Sequence, residues 1–387
     1  MEYKLSDDTW GKEEIDAIQE VIKSNRFTMG EKTKEFEERF AQYFGSRFAV
    51  MVNSGSSANL LAIASLVYSG KLQKGDEIIV PAVSWSTTYY PLFQHDLKLK
   101  FVDIDLESLN INIDKIENAI SSKTKAIFAV NLLGNPNDFD RIKKICKNHD
   151  LLLIEDNCES LGAKYKNKYC GTFGLLGTFS TFFSHHICTM EGGVVVTDDE
   201  ELYHYMLSIR AHGWTRNLPE NSKLYKKSLN SFYESFNFIL PGYNLRPLEM
   251  EAAIGIKQID KIDKIIKTRR ENAEIFADLL KSNPNISIQK EIGNSSWFGF
   301  AIVLKNELEN KRDQIVKRLT ENGIEVRPIV AGNFTRNKVI EFMDYEISGE
   351  LMNADYVHEN GFFVGNHSKL IDGSLRFIIS LLNEIDI

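Results

Sequence analysis

The sequence predicts an α/β protein: a large domain built on a mostly parallel sheet, followed by a smaller α/β domain. Three observations carry this. Short β-rich runs alternate with helix-period segments through the first 255 residues. Several runs, such as "EIIV" and "LLLI", are apolar at consecutive positions, as in strands that helices cover on both faces. Beyond a long charged helical pattern around 255–285, the strands become fewer and more scattered.

Taken in order, the expected strands are "FAVMVN" (48–53), "DEIIVPA" (76–82), "KLKFVDID" (98–105), "TKAIFAVN" (124–131), "DLLLIEDN" (150–157), "TFSTFF" (178–183) and "GGVVVTD" (192–198). Amphipathic helices fall around and between them. "TKEFEERFAQYF" is one, with Phe36, Phe40, Tyr43 and Phe44 at helical spacing. "FGFAIVL" and "GIEVRPIV" read as strands of the second domain. The expected division is 1–255 for the large domain with its N-terminal segment, and 256–387 for a linking helix and the small domain.

Bulk properties exclude several classes. A net charge of −8 is the wrong sign for a nucleic-acid footprint. Cys146, Cys158, Cys170 and Cys188 stand far apart with no CxxC pair, so they read as reduced thiols and not as a metal site. The N-terminus lacks the positive and apolar regions of a signal peptide, and no uncharged run reaches the ~18 residues that a membrane span needs. A soluble cytoplasmic protein without membrane or nucleic-acid partners is expected.

Ligand sites in such sheets gather where the strands end. In "NSGSSANLLAIASL" (53–66) a strand ends at Asn53 and a helix starts near Ser56–Ser57. Free N–H groups, hydroxyls and the helix dipole suit a phosphate there, although a plain capped helix reads the same way. Trp85, in "VPAVSWSTTYY", either stacks on a flat heterocycle or plugs the core. "LLLIEDNCES" (151–160) runs an apolar strand into Glu155, Asp156 and Glu159. A buried acid needs a partner; here it is the protonated ring nitrogen of a cofactor such as pyridoxal phosphate, or else a helix N-terminus that the acid caps. "PGYNLRPLEMEAAIGIKQI" (241–259) sets Asn244 and Arg246 before an apolar helix, and "IRAHGWTRN" (209–217) packs His212, Trp214 and two arginines together.

These features in this order resemble one family, the nucleotide-sugar aminotransferases, which are fold type I (aspartate-aminotransferase-like) pyridoxal-phosphate enzymes. "FTMGEKTKEFEERFAQYFGSRFAVMVNSGSSANLLAIASL", "GDEIIVPAVSW", "IEDNCESLGAKYKNKYCGTFG", "EGGVVVTDDEE", "RAHGWTRN" and "GYNLRPLEMEAAIGIKQ" carry the match over nearly the whole chain. The resemblance implies that Ser56, Ser57 and Ser180 bind the cofactor phosphate. It implies that Trp85 stacks on the ring, Asp156 meets the pyridine nitrogen and Glu159 sits near the ring hydroxyl. Asn244 would reach the phosphate from a neighbouring subunit, and His212 would approach the sugar from there. A homodimer with shared sites follows by analogy.

One position departs from the pattern. Family members carry a Lys five residues after the phosphate-binding Ser and six before the Glu of "EGG". Counting from Ser180 and back from Glu191, both counts land on His185. An imidazole cannot hold the cofactor covalently but can move protons. The 3-dehydratase branch of the family makes this replacement. Resemblance to it implies that pyridoxal phosphate alternates with pyridoxamine phosphate, that L-glutamate is the amino donor, and that the substrate is a nucleotide-linked 4-keto-6-deoxy sugar, with GDP-4-keto-6-deoxy-D-mannose the first expectation. His185, Asp156 and Glu159 are the expected catalytic residues. A longer relative with the same His holds an iron–sulfur cluster on C-terminal cysteines; this chain has no Cys after Cys188, so no metal is expected. On an extended backbone the adjacent His186 would face away from the cofactor, as a core or interface residue.

Overall fold

The computed structural model describes residues 2–383. Its strands begin with β1 (Phe48–Val52), β2 (Glu77–Pro81), β3 (Lys98–Val102), β4 (Thr124–Val130) and β5 (Leu152–Asp156). A short hairpin follows, β6 (Lys164–Tyr165) and β7 (Lys168–Tyr169), and then β8 (Leu176–Ser180) and β9 (Gly193–Thr197). The remainder are β10 (Ile286–Ile288), β11 (Gly299–Leu304), β12 (Val326–Arg327), β13 (Tyr345–Ile347) and β14 (Gly361–Gly365).

The large sheet has the order β1-β9-β8-β5-β4-β2-β3-β13. Its neighbours are parallel except at β9, which runs against both β8 and β1. The reversal has a simple cause: the connection 181–192 holds no helix, and a parallel return needs a longer crossover. Consecutive apolar residues point to opposite faces, and both faces are covered. Ile78 and Val80 pack with Leu61, Ala62 and Leu66 of the helix Gly55–Tyr68, whereas Ile79 packs with Ile116 and Ile142 on the other side.

The expected strand over 178–183 is displaced. β8 stops at Ser180, because Thr181 and Thr189 bond to each other through their hydroxyls and the chain turns between them. Phe182 and Phe183 have strand propensity, yet Phe183 lies exposed on that turn. The long charged pattern is likewise two helices, Glu249–Ile259 and Ile262–Leu280, with a break between them.

The small sheet is antiparallel, ordered β10-β11-β14-β12, and packs on Phe276, Leu319, Leu375 and Ile378 from three helices. Relative to a division at residue 255, two segments cross over. β13 pairs with β3 at the edge of the large sheet. Tyr3 lies in the small core, where its hydroxyl donates to Gly365 O at 2.7 Å and its N–H to Gly323 O at 2.8 Å.

Candidate active site

The first part of the site is a cradle at the start of the helix Gly55–Tyr68. Ser54 caps this helix, its Oγ accepting from Ser57 N–H at 3.0 Å. Sequence reasoning passed over Ser54, because "NSGSS" offers three serines and no spacing to choose among them. Ser56 Oγ donates to Thr87 Oγ1 at 2.9 Å, which ties the cradle to the first turn of the helix Ser86–Gln94 that follows Trp85. Two glycines bring the parts together. A Cβ on Gly55 would stand 2.6 Å from Ser180 Cβ, and one on Gly193 would stand 2.2 Å from Ser54 O. Ser56, Ser57 and Ser180 therefore share one corner, at the positive end of a helix dipole.

Asp156 ends β5 and is buried. Its Oδ2 accepts from Asn59 Nδ2 at 2.9 Å and Thr88 Oγ1 at 2.7 Å, and its Oδ1 from Cys158 N–H at 3.1 Å. No helix begins there, so the helix-cap alternative lapses. All three donors are neutral, and three hydrogen bonds leave the carboxyl oxygens with lone pairs to spare. Trp85 is 54% exposed and so does not plug the core. It stands instead at the start of the helix Ser86–Gln94, whose Thr88 holds Asp156.

Glu159 is half-buried, and its Oε2 accepts from Leu133 N–H at 3.0 Å. Desolvation, reinforced by the Asp156 charge, raises its pKa to about 7. A carboxyl whose folded pKa lies above its unfolded value contributes stability at low pH and loses it as pH rises through the folded value. Glu159→Gln keeps an acceptor for Leu133 but cannot titrate. The urea midpoint of wild type should therefore fall more between pH 5 and pH 8 than that of the variant. Equal falls in the two proteins would mean that Glu159 titrates normally.

The connection 181–192 places the two histidines, and it is a turn, not an extended run. The expectation that alternation turns His186 away thus rests on the wrong backbone. His186 is fully buried for another reason: its Nε2 donates to Ser296 O at 3.1 Å across to the small domain. The His185 ring lies against Phe298 (centroids 5.0 Å apart) and Phe182 (5.9 Å). Its Nδ1 is buried without a partner. Burial, with a smaller push from the Arg269 cation, lowers the His185 pKa to about 3, so the ring is neutral at physiological pH. Arg269 was missed in the sequence because it is one charge among many on an amphipathic helix. In the fold it is fully buried.

The side chains of the remaining two residues have partners outside this cluster. Asn244 is exposed and accepts from Arg246 Nε at 2.9 Å, not from a cradle serine. His212, at φ 61°, is held by its N–H to Tyr243 O (2.7 Å), with its ring on Trp214 (4.9 Å) and not on His185.

Residues 8–383 match the DegT/DnrJ/EryC1/StrS aminotransferase family. The chain belongs to this family. Among its relatives is the GDP-4-keto-6-deoxy-D-mannose 3-dehydratase of Yersinia pseudotuberculosis, 57% identical over 99% of this chain and 98% of that protein. A solved GDP-4-keto-6-deoxymannose-3-dehydratase with a trapped PLP-glutamate geminal diamine superposes with a TM-score of 0.96, at 54% identity over 98% of this chain and 100% of that one. A variant of that enzyme with bound GDP-perosamine matches equally well, with TM-score 0.96, 54% identity and the same coverage.

The donor set of this family member fits pyridoxal phosphate. Beside the cradle, Asn53 Oδ1 is buried without a partner, as is His185 Nδ1. Buried polar atoms are nearly always paired, so the site is shaped for a polar group. The hydroxyls and helix terminus suit its phosphate, the Asp156 carboxylate its ring nitrogen and the open Trp85 indole its flat face. Lys164 and Lys168 are occupied on the hairpin, over the rings of Tyr169 (4.3 Å) and Phe173 (5.1 Å).

Proposed function

We propose that this chain is a pyridoxal-phosphate-dependent 3-dehydratase that removes the C3 hydroxyl of GDP-4-keto-6-deoxy-D-mannose, a step towards 3,6-dideoxyhexoses of the colitose type. L-Glutamate is the amino donor, and 2-oxoglutarate and ammonia are released. The observation that carries this reading is His185, a neutral proton carrier at the family's lysine position, beside the serine cradle and Asp156. The 57% identity to a 3-dehydratase over nearly the full chain supports it.

When bound, pyridoxal phosphate supplies a carbonyl that takes up the amino group of glutamate and a ring that draws electrons away from the sugar. Ser54, Ser56, Ser57 and Ser180 hold its phosphate, and Trp85 covers one face. Asp156, fixed by Asn59 and Thr88, keeps the ring nitrogen protonated. His185 enters neutral and so acts first as a base. The imidazolium then formed is buried near Arg269 and is a strong acid, suited to protonating the C3 hydroxyl oxygen as it leaves. No lysine amine stands at 185 to return a proton to the sugar C4, so loss of the C3 hydroxyl replaces amino transfer.

The protein works as a homodimer with shared sites. Supporting this, Leu229, Phe232, Tyr233, Phe236 and Phe238 are all exposed within the single segment 229–238, an apolar cluster of the kind that marks an interaction surface. Asn244 and His212 would then serve the partner's pocket. The enzyme acts in the cytoplasm, with its four cysteines free and, among the described residues, no helix long and apolar enough to cross a membrane.

The deciding experiment incubates the protein with glutamate and a panel of nucleotide 4-keto sugars and follows the products by mass spectrometry. A 3-deoxy-4-keto sugar with ammonia is expected. An amino sugar would identify a transaminase with an atypical base, and no 2-oxoglutarate at all would identify a non-catalytic relative. Borohydride should also fail to trap the cofactor on any lysine. A pyridoxyl-modified peptide containing Lys164 or Lys168 would refute the noncovalent site.

A further inference from the structure

We propose that Phe298 is a positioning residue, and that the segment Ser296–Phe298 of the small domain aligns both His185 and Glu159. The segment is tied on every side. Ser296 N–H donates to Gly134 O and Phe298 N–H to Leu133 O, each at 3.0 Å. Ser296 O accepts from His186, while Trp297 O accepts from Asn366 Nδ2 at 2.9 Å. Arg269 donates to Phe298 O at 3.0 Å from the helix Ile262–Leu280.

The backbone on both sides of this contact is in the left-handed region. Trp297 has φ 47°, facing Leu133 at 51° and Gly134 at 98°. A Cβ on Gly134 would stand 2.5 Å from Trp297 N. Such conformations are costly at non-glycine positions and persist only where the surroundings over-determine them. They mark a site whose placement matters.

Two lines lead from the segment into the pocket. The Phe298 ring touches both imidazoles, with its centroid 5.0 Å from His185 and 5.7 Å from His186. Leu133, which receives Phe298 N–H on its carbonyl, gives its own N–H to Glu159. The His186 bond fixes that ring as the Nε2–H tautomer, because a carbonyl only accepts. His186 and Arg269 thus also hold the segment on which His185 rests, His186 through Ser296 O and Arg269 through Phe298 O.

The inference uses the role given to His185 above, so its test includes a readout that needs no substrate. Phe298→Leu keeps apolar bulk and removes the flat ring. In protein with 13Cε1-labelled histidine and no added cofactor, the His185 resonance, assigned through His185→Asn, should shift in this variant. With cofactor and substrate, kcat should fall on the order of 10- to 100-fold, as misplacement of a reacting group does, with KM and cofactor affinity within about 3-fold. An unmoved resonance, or a kcat within about 3-fold of wild type, would overturn the proposal. If Phe298→Leu does not fold, Phe298→Tyr takes its place: retained kcat supports the ring's role and lost kcat refutes it. If the wild-type protein shows no dehydration, the functional reading fails, and the resonance still reports on placement.

Discussion

His185→Asn is expected to abolish formation of the 3-deoxy sugar and ammonia while leaving the cofactor bound. The amide keeps much of the bulk against Phe182 and Phe298 but cannot carry a proton. Positioned acid–base groups contribute typically 10²–10⁴-fold, and here one residue serves as base and then as acid. The loss should thus lie at or beyond about 10³-fold in kcat. Cofactor absorbance and affinity should change little, because the cradle and Asp156 are untouched. His185→Lys should give a borohydride-trappable link and suppress elimination, with slow amino transfer in its place. Dehydration surviving in His185→Asn but lost in His186→Asn would put the base one residue further on.

Asp156→Asn should slow both the glutamate half-reaction and the dehydration by about 10²–10³-fold, the scale of removing one key electrostatic group. The fold should survive the change. An amide oxygen can still accept from Asn59 and Thr88, which together fix its orientation. The amide nitrogen is then left facing Cys158 N–H, donor against donor, with no anion for the ring nitrogen. Near-normal turnover with glutamate would show that the carboxylate is only structural.

The large sheet was legible because its strands are buried on both faces and read as unbroken apolar runs, the plainest signal a parallel sheet gives. The end of β8 was not. Phe182 and Phe183 continue the apolar run in sequence, and only the pairing of Thr181 with Thr189 shows where the chain turns. Within the site, Asp156 and Trp85 stood out because each is an odd residue at a strand end. Asn59 and Thr88 did not, since each looks like an ordinary helical residue until the fold brings it to Asp156. Arg269 and Phe298 were out of reach for the same reason: their meaning lies in contacts across more than eighty residues of chain with His185, and no local pattern encodes them. Asn244 and His212 stood out in unusual stretches but took their roles from family resemblance, and in one chain each bonds elsewhere.

The crossing of β13 and Tyr3 bears on how the molecule comes apart. Each sheet takes a piece of chain from beyond the division that the sequence led one to expect at residue 255. Cutting there would strip the edge strand from one sheet and a buried aromatic from the other core. Hydrogen exchange should therefore find no temperature at which the small lobe melts while the amides of β3 remain protected. In protein engineering, the second lobe is not a cassette that can be exchanged at a single junction: a chimera that keeps both lobes sound must also carry the first few residues and 345–347 from the matching parent.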